Sequence, residues 1–202
     1  MHDDPQWLRV HGAPWRVEDG GSLHENPWFG VDAFRAISPT GAPAAYYSLR
    51  YKNAATGVVP LHADGTLALV GQWRFPFASY SWELPEGGAP HGEDPRVGAL
   101  RELREEAGLV AADCRLILTM QLSNASSDEV AWLYLATGLS EVEAERDATE
   151  ALTVARVPFR EALDAAVKGR IQDSLTVAAL LRVYHMAREG ELEAALTRLL
   201  LG

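Results

Sequence analysis

The stretch from Gly87 to Leu109 constrains this chain more than any other: Gly-Gly-Ala-Pro-His-Gly-Glu-Asp-Pro-Arg-Val-Gly-Ala-Leu-Arg-Glu-Leu-Arg-Glu-Glu-Ala-Gly-Leu. Asp94 is a good helix N-cap and Pro95 fits the first helical position. Gly108 supplies a stop, so the sequence predicts a helix ending at Ala107. A helix advances about 100° per residue. Glu105 and Glu106 follow Glu102 by three and four residues, so all three carboxylates share an arc of roughly 100°. Leu100, Leu103 and Ala107 gather on a different face and can anchor the helix to a sheet. Like charges at this spacing destabilise an isolated helix by about a few tenths of a kcal/mol per pair. Arg101 and Arg104 could compensate as salt-bridge partners on a solvated face. A hard divalent cation would also compensate, because Mg²⁺ prefers carboxylate oxygens and water. The three glutamates by themselves leave both readings open.

The surroundings of this helix read as strands and turns. Residues 1–27 are polar and glycine-containing, an arm with room for one short strand. Residues 28–38 and 45–52 predict a hairpin about the turn at Pro39-Thr-Gly. Strands follow at 57–62 and 67–74, joined by Asp64-Gly65, a positive-φ turn signal. A short strand at 80–84 ends at Pro85, and Gly87-Gly88 with Pro90 reads as a loop. Beyond the helix, strands are expected at 114–122, 130–137 and 151–157, and amphipathic helices at 159–168, 174–188 and 190–201. The fold class expected is α+β, a mixed sheet sandwiched between helices, with an N-terminal antiparallel hairpin subdomain over 1–54 and the main domain over 55–202.

Bulk properties exclude several functions. The 202 residues suit one domain with a small extra unit. A formal net charge of -10 repels nucleic-acid backbones and anionic membranes. No stretch approaches the ~20 apolar residues of a membrane span, and the start carries no apolar signal region. The single cysteine, Cys114, cannot form an internal disulfide, which fits a reducing cytoplasm, and its setting reads as a buried structural thiol.

The wider spacing decides between the two readings of the glutamates. Gly87, five residues, Glu93, seven residues, then Arg101-Glu102-Leu103-Arg104-Glu105-Glu106-Ala107-Gly108-Leu109 resembles the box of the Nudix hydrolases at each defining position. The resemblance implies water attack on a phosphorus of a nucleoside diphosphate linked to another group, with Mg²⁺ (or Mn²⁺) as cofactor. It makes Glu102, Glu105 and Glu106 the metal ligands, and gives Arg101 and Glu93 an ion pair that orients the helix and its carboxylates.

Gln72-Trp-Arg74, followed by Glu83-Leu-Pro-Glu-Gly87, resembles the ADP-ribose pyrophosphatase branch of that family. The branch implies that Arg74 contacts substrate phosphates, which suits a bidentate guanidinium. Its usual Ala before the box glycine gives a metal its backbone carbonyl; Glu86 stands there, and could add a fourth carboxylate. The branch also implies a homodimer in which the front hairpin supplies adenine-stacking aromatics. Trp28 and Tyr46 (or Tyr47) match, with Arg50 as a cross-subunit phosphate contact, although hairpin aromatics are ordinarily cross-strand packing. A catalytic base should lie outside the box, and Glu129, Asp128 and Glu150 are the candidates. Gly169-Arg-Ile-Gln-Asp-Ser-Leu-Thr resembles the branch's entry to its C-terminal helix. The expected activity is therefore Mg²⁺-dependent hydrolysis of ADP-ribose or a related nucleoside diphosphate sugar. The alternatives are another nucleotide derivative, such as GDP-mannose or a dinucleoside polyphosphate, or a non-catalytic nucleotide-sugar-binding domain.

Overall fold

The computed structural model describes residues 5–144 and 151–202. They form two compact units, one of residues 5–52 with 123–128, the other of 53–122 with 129–144 and 151–202.

The first unit is an antiparallel meander of β1 (Arg16–Glu25), β2 (Phe29–Ile37) and β3 (Pro43–Tyr51), in that order. The predicted hairpin is β2 with β3, and β1 is a ten-residue strand in the polar arm, where the sequence left room for a short one. The physical reason for the difference is that β1 is exposed along its whole length, so it carries no alternation of apolar and polar residues. Its ladder to β2 holds it, with register shifts between Val17 and Asp19 and between Ser22 and His24. Gly20 is needed there, because a Cβ would lie 2.3 Å from Phe34 Cδ1. Residues 123–128 clip onto β3. The Leu49 amide donates to the Ser126 carbonyl (2.8 Å), and the Asp128 amide donates to the Leu49 carbonyl (3.2 Å). The Tyr51 amide donates to the Asp128 carboxylate (2.9 Å).

The second unit contains the long helix predicted above. Its elements are β4 (Asn53–Pro60), β5 (Thr66–Arg74), β6 (Ser79–Glu83), β7 (Glu86–Pro90), α1 (Pro95–Ala107), β8 (Leu109–Gln121), β9 (Val130–Glu141), β10 (Thr153–Pro158), α2 (Phe159–Val167), α3 (Ser174–Arg188) and α4 (Ala194–Leu201). One sheet has the order β7-β4-β9-β8 and is mixed, since β4 and β9 run parallel while the outer pairs are antiparallel. A second, antiparallel sheet has the order β10-β5-β6.

Alternation in the central strands divides the core between two faces. Val59, Leu133 and Leu135 pack in the cluster that holds the buried residues of α2, α3 and α4. Val58, Tyr134 and Ala136 pack with Ala99 and Leu103 of α1. The mixed sheet is thus covered by helices on both faces, as an α+β chain of this pattern requires. One correction concerns residues 87–90, predicted as a loop. They belong to β7, antiparallel to β4 from Asn53↔Pro90 to Gly57↔Glu86. Glycine and proline normally mark turns, but here the glycines permit close approach of backbone to side chains, and Pro90 ends an edge strand. Cys114 is buried and free, and burial pushes its thiol up. Among the described residues no helix is long and apolar enough to cross a membrane.

Leu133 is fully buried in the larger cluster. Leu133→Ala should cost about 2–5 kcal/mol through lost burial and a residual cavity. At about 2–4 °C per kcal/mol for a chain of this size, differential scanning calorimetry should show a fall in Tm on the order of 10 °C.

Candidate active site

Helix α1 starts and stops as its sequence dictates. The Asp94 side chain accepts the Arg96 amide at 2.9 Å, Pro95 occupies the first turn, and Gly108 closes the helix with φ of 64°. The buried residues are Gly98, Ala99, Leu103 and Glu106, the last three a stripe at four- and three-residue spacing. This differs from the predicted anchor face, of which only Leu103 is fully buried, while Leu100 and Ala107 are partly covered. Glu106 sits on the sheet-facing stripe itself.

The three carboxylates are therefore unequal. Glu106 is 5% exposed, and the side chains of Glu102 and Glu105 are 13% and 36% exposed. A buried carboxylate needs donors or a cation. The Glu86 amide donates to Glu106 Oε2 at 3.0 Å. Glu102 receives Arg101 Nη1 at 2.7 Å. Arg101 also donates through Nη2 to the Gly88 carbonyl at 2.9 Å, tying α1 to β7. Its guanidinium lies 3.7 Å from Glu93 and 3.6 Å from Glu105. These two are ion pairs at distances beyond hydrogen bonding.

Gly87 makes the arrangement sterically possible. A Cβ at this position would fall 2.3 Å from Glu102 Cδ, so any other residue would displace that carboxylate from its place against β7. The Gly87 carbonyl is turned to Thr56, whose hydroxyl donates to it at 3.3 Å. Glu102, Glu105 and Glu106 offer hard carboxylate oxygens from one helix, the donor type a divalent cation such as Mg²⁺ takes, but among the described residues their oxygens are not gathered within 4.8 Å of one another as a set of three.

A second acidic group lies on the strands before the box. Gln72 and Arg74 project from the same face of β5. Arg74 Nε contacts both Glu83 oxygens at 3.0 Å, its Nη2 also pairs with Glu83, and Gln72 Nε2 donates to Glu83 at 3.3 Å. Arg74 Nη2 reaches Glu86 Oε1 at 3.0 Å. Carboxylate oxygens of Glu83, Glu86 and Asp173 lie within 4.8 Å of one another. Glu86 Oε2 is enclosed with no donor among the described residues. Burial, and then the charges of Asp173 and Glu83, push the Glu86 carboxyl well above the usual range, with Arg74 opposing. The structure thus places the Glu86 side chain with Arg74, Glu83 and Asp173, and its main-chain amide on Glu106. Glu83 and Asp173 are not among the predicted site residues; both stand in segments that carry the family resemblance, Glu83-Leu-Pro-Glu-Gly87 and the entry to the helix at 174, without a role given to either.

The front-end candidates lie in the first unit. Trp28 is 70% exposed. Tyr46 is committed: its ring packs edge-on against Trp15, with centroids 5.2 Å apart, and its hydroxyl donates to the Ala125 carbonyl at 2.6 Å. Tyr47 is the more exposed of the pair. Arg50 donates to Asp32 at 3.0 Å and pairs with Glu25, which Lys52 also engages. Those two hydrogen bonds hold Glu25 down at about 2, Lys52 contributing first and Arg50 second. Asp128 spends its carboxylate on the Tyr51 amide. The Glu129 carbonyl accepts the Leu122 amide at 2.9 Å, at the start of β9. Glu150 lies outside the described residues.

Comparison with known proteins gives a consistent picture. A family model described as the NUDIX domain matches residues 51–182. The ADP-ribose pyrophosphatase of Mycobacterium tuberculosis (strain ATCC 25618 / H37Rv) is 35% identical over 134 residues, covering 64% of each chain. The match thus spans just under two thirds of that relative. The methanol dehydrogenase activator of Bacillus methanolicus is 34% identical over 144 residues, 70% of this chain and 77% of the relative. A crystal structure of an ADP compounds hydrolase superposes with a TM-score of 0.79 at 20% identity, covering 91% of this chain and all of the other, a likeness of fold.

The raised Glu86 carboxyl has a definite consequence for stability. Its protonated form is favoured by folding, so its contribution is complete below the ordinary value of 4.5 and is lost as pH rises through the raised folded value. In metal-free buffer the Tm of wild type relative to Glu86→Gln should be higher at about pH 5 than at about pH 8. Thermal melts in EDTA at the two pH values measure it.

Proposed function

Because the chain belongs to the Nudix family, whose domain model matches residues 51–182, we propose that it hydrolyses the pyrophosphate bond of ADP-ribose or a related nucleoside diphosphate sugar with Mg²⁺ as cofactor. The observation that carries this reading is the set of Glu102, Glu105 and Glu106, presented on α1 against Gly87 and oriented by Arg101. One water adds across the phosphoanhydride, and ADP-ribose would yield AMP and ribose 5-phosphate.

Each residue then has a physical task. Glu102, Glu105 and Glu106 would hold the metal. A bound divalent cation supplies charge neutralisation of the pyrophosphate and lowers the pKa of a bound water. Arg101 holds Glu102 and the Gly88 carbonyl, so the carboxylate does not search rotamers. Arg74 is the candidate phosphate contact; its guanidinium is pre-set by Glu83 and Glu86 on the strand pair leading into the box. The base that takes the proton from water is assigned to Glu129 or Glu150, since Asp128 is occupied by a backbone amide. Trp28 and Tyr47 remain the aromatics for a purine, and Tyr46 is less suited because both its ring and its hydroxyl are engaged.

The methanol dehydrogenase activator is similar over a larger share of this chain than the mycobacterial pyrophosphatase, so the substrate is tested across a panel rather than with ADP-ribose alone. A panel of ADP-ribose, GDP-mannose and a dinucleoside polyphosphate, read by phosphate release after phosphatase treatment, separates the possibilities. ADP-ribose should give the highest kcat/KM. Glu106→Gln should lower kcat by about a hundredfold or more while retaining the fold. No turnover of any panel member with Mg²⁺ or Mn²⁺ would remove the reading.

A homodimer completes the proposal. In the first unit Gly30 and Ala36 are the buried residues among those described, while Trp7, Trp28 and Tyr47 are exposed. A three-stranded sheet with so little core needs cover on one face. Light scattering coupled to size exclusion should give twice the 22.0 kDa chain mass; a monomer at micromolar concentration would contradict it.

A further inference from the structure

Residues Leu84–Glu86 link β6 to β7 and have their backbone polar groups satisfied by three different elements. The Leu84 amide donates to Thr176 Oγ1 at 2.9 Å. The Val58 amide donates to the Pro85 carbonyl at 3.0 Å. The Glu86 amide donates to Glu106 Oε2 at 3.0 Å. Leu84 lies one residue past β6, so its buried amide has left the strand ladder, and a side-chain acceptor replaces that partner.

Thr176 is an unexpected residue for its position. It is fully buried in the first turn of α3, between Leu175 and the core positions Ala179 and Leu180. Valine would have nearly the same shape there without placing a hydroxyl among apolar groups. What the threonine adds is the acceptor for Leu84. Its own backbone is fixed in turn, since the Thr176 amide donates to the Asp173 carboxylate at 2.7 Å in the N-cap of α3.

We propose that Thr176 is a positioning residue for Glu106, acting through the Leu84–Glu86 segment from the opposite side of the sheet. The proposal rests on the metal role given to Glu106 above. The path is short: the α3 cap fixes Thr176, its hydroxyl fixes Leu84, and two residues later the Glu86 amide fixes the Glu106 carboxylate. Loss of the hydroxyl leaves a buried amide unpaired, and the segment must shift to find another acceptor. That shift moves the donor on Glu106.

Thr176→Val and Thr176→Ser test this. Mn²⁺ affinity is read by electron paramagnetic resonance without substrate, and kcat and KM are read with ADP-ribose. Thr176→Val should weaken Mn²⁺ binding and lower kcat, each about tenfold. KM should stay within about twofold, and Thr176→Ser should restore both quantities to within about twofold of wild type. Wild-type values in Thr176→Val would overturn the proposal, as would equal losses in the serine variant, because the hydroxyl would then not matter. A wild-type protein silent in both Mn²⁺ binding and turnover would instead remove the metal-site reading, and this proposal with it. If Thr176→Val does not fold, Thr176→Ala decides: it removes the same hydroxyl without setting a new methyl group against the Leu84 amide, so the same losses support the proposal and wild-type values overturn it.

Discussion

A carboxylate facing the core of α1 is the constraint on which the rest of the site depends. Glu106 shares its buried stripe with Ala99 and Leu103, where an apolar residue would ordinarily stand. An ionised group there is costly unless donors or a cation meet it. The Glu86 amide supplies one donor. The chain must therefore bring β7 to α1 at a fixed depth, and most local features of the box follow from that requirement. Glycine at 87 lets the strand come close enough, Gly98 leaves room for Ala89 on the helix side, and Arg101 bridges helix and strand.

The electrostatics divide into two neighbouring sets with different characters. The box carboxylates are graded in exposure, from buried Glu106 to half-open Glu105, with Arg101 among them. Glu83, Glu86 and Asp173 form a tighter set with Arg74 paired to it, and burial with the neighbouring charges raises the Glu86 carboxyl. Arg74 is held by this second set rather than standing free, which limits its side-chain freedom before any phosphate arrives. Pre-orientation of a guanidinium reduces the entropy lost on binding. The same network leans on the N-terminus of α3, through Asp173 and Thr176. The loop ahead of the box is thus braced by an element distant in sequence.

Much of the second unit is legible in its sequence. Helix α1 begins and ends at the residues that Asp94-Pro95 and Gly108 dictate, and α3 spans the predicted 174–188. Those boundaries are local chemistry, a cap side chain and a left-handed glycine, and local chemistry is written in neighbouring residues. Strand β1 is not legible, because its residues are exposed on both faces and only the ladder to β2 makes it a strand. Strand β7 is hidden for a related reason. Its glycines serve close approach to Glu102 and Asn53, yet in sequence they look like a turn.

The spacing from Gly87 to Leu109 determined by itself that three glutamates share one helical face, and that this face belongs to a Nudix box. It did not determine that Glu106 is buried while Glu105 is half open, nor that Glu86 turns its side chain to Arg74 and Asp173 and its amide to Glu106. Helical periodicity fixes angles about one axis, so it can state which residues are neighbours on a helix. What covers that face depends on strands and a helix end brought in from residues 56–88 and 173–176. Only the tertiary structure decides those contacts, since burial and hydrogen bonding are properties of the surroundings and not of the spacing.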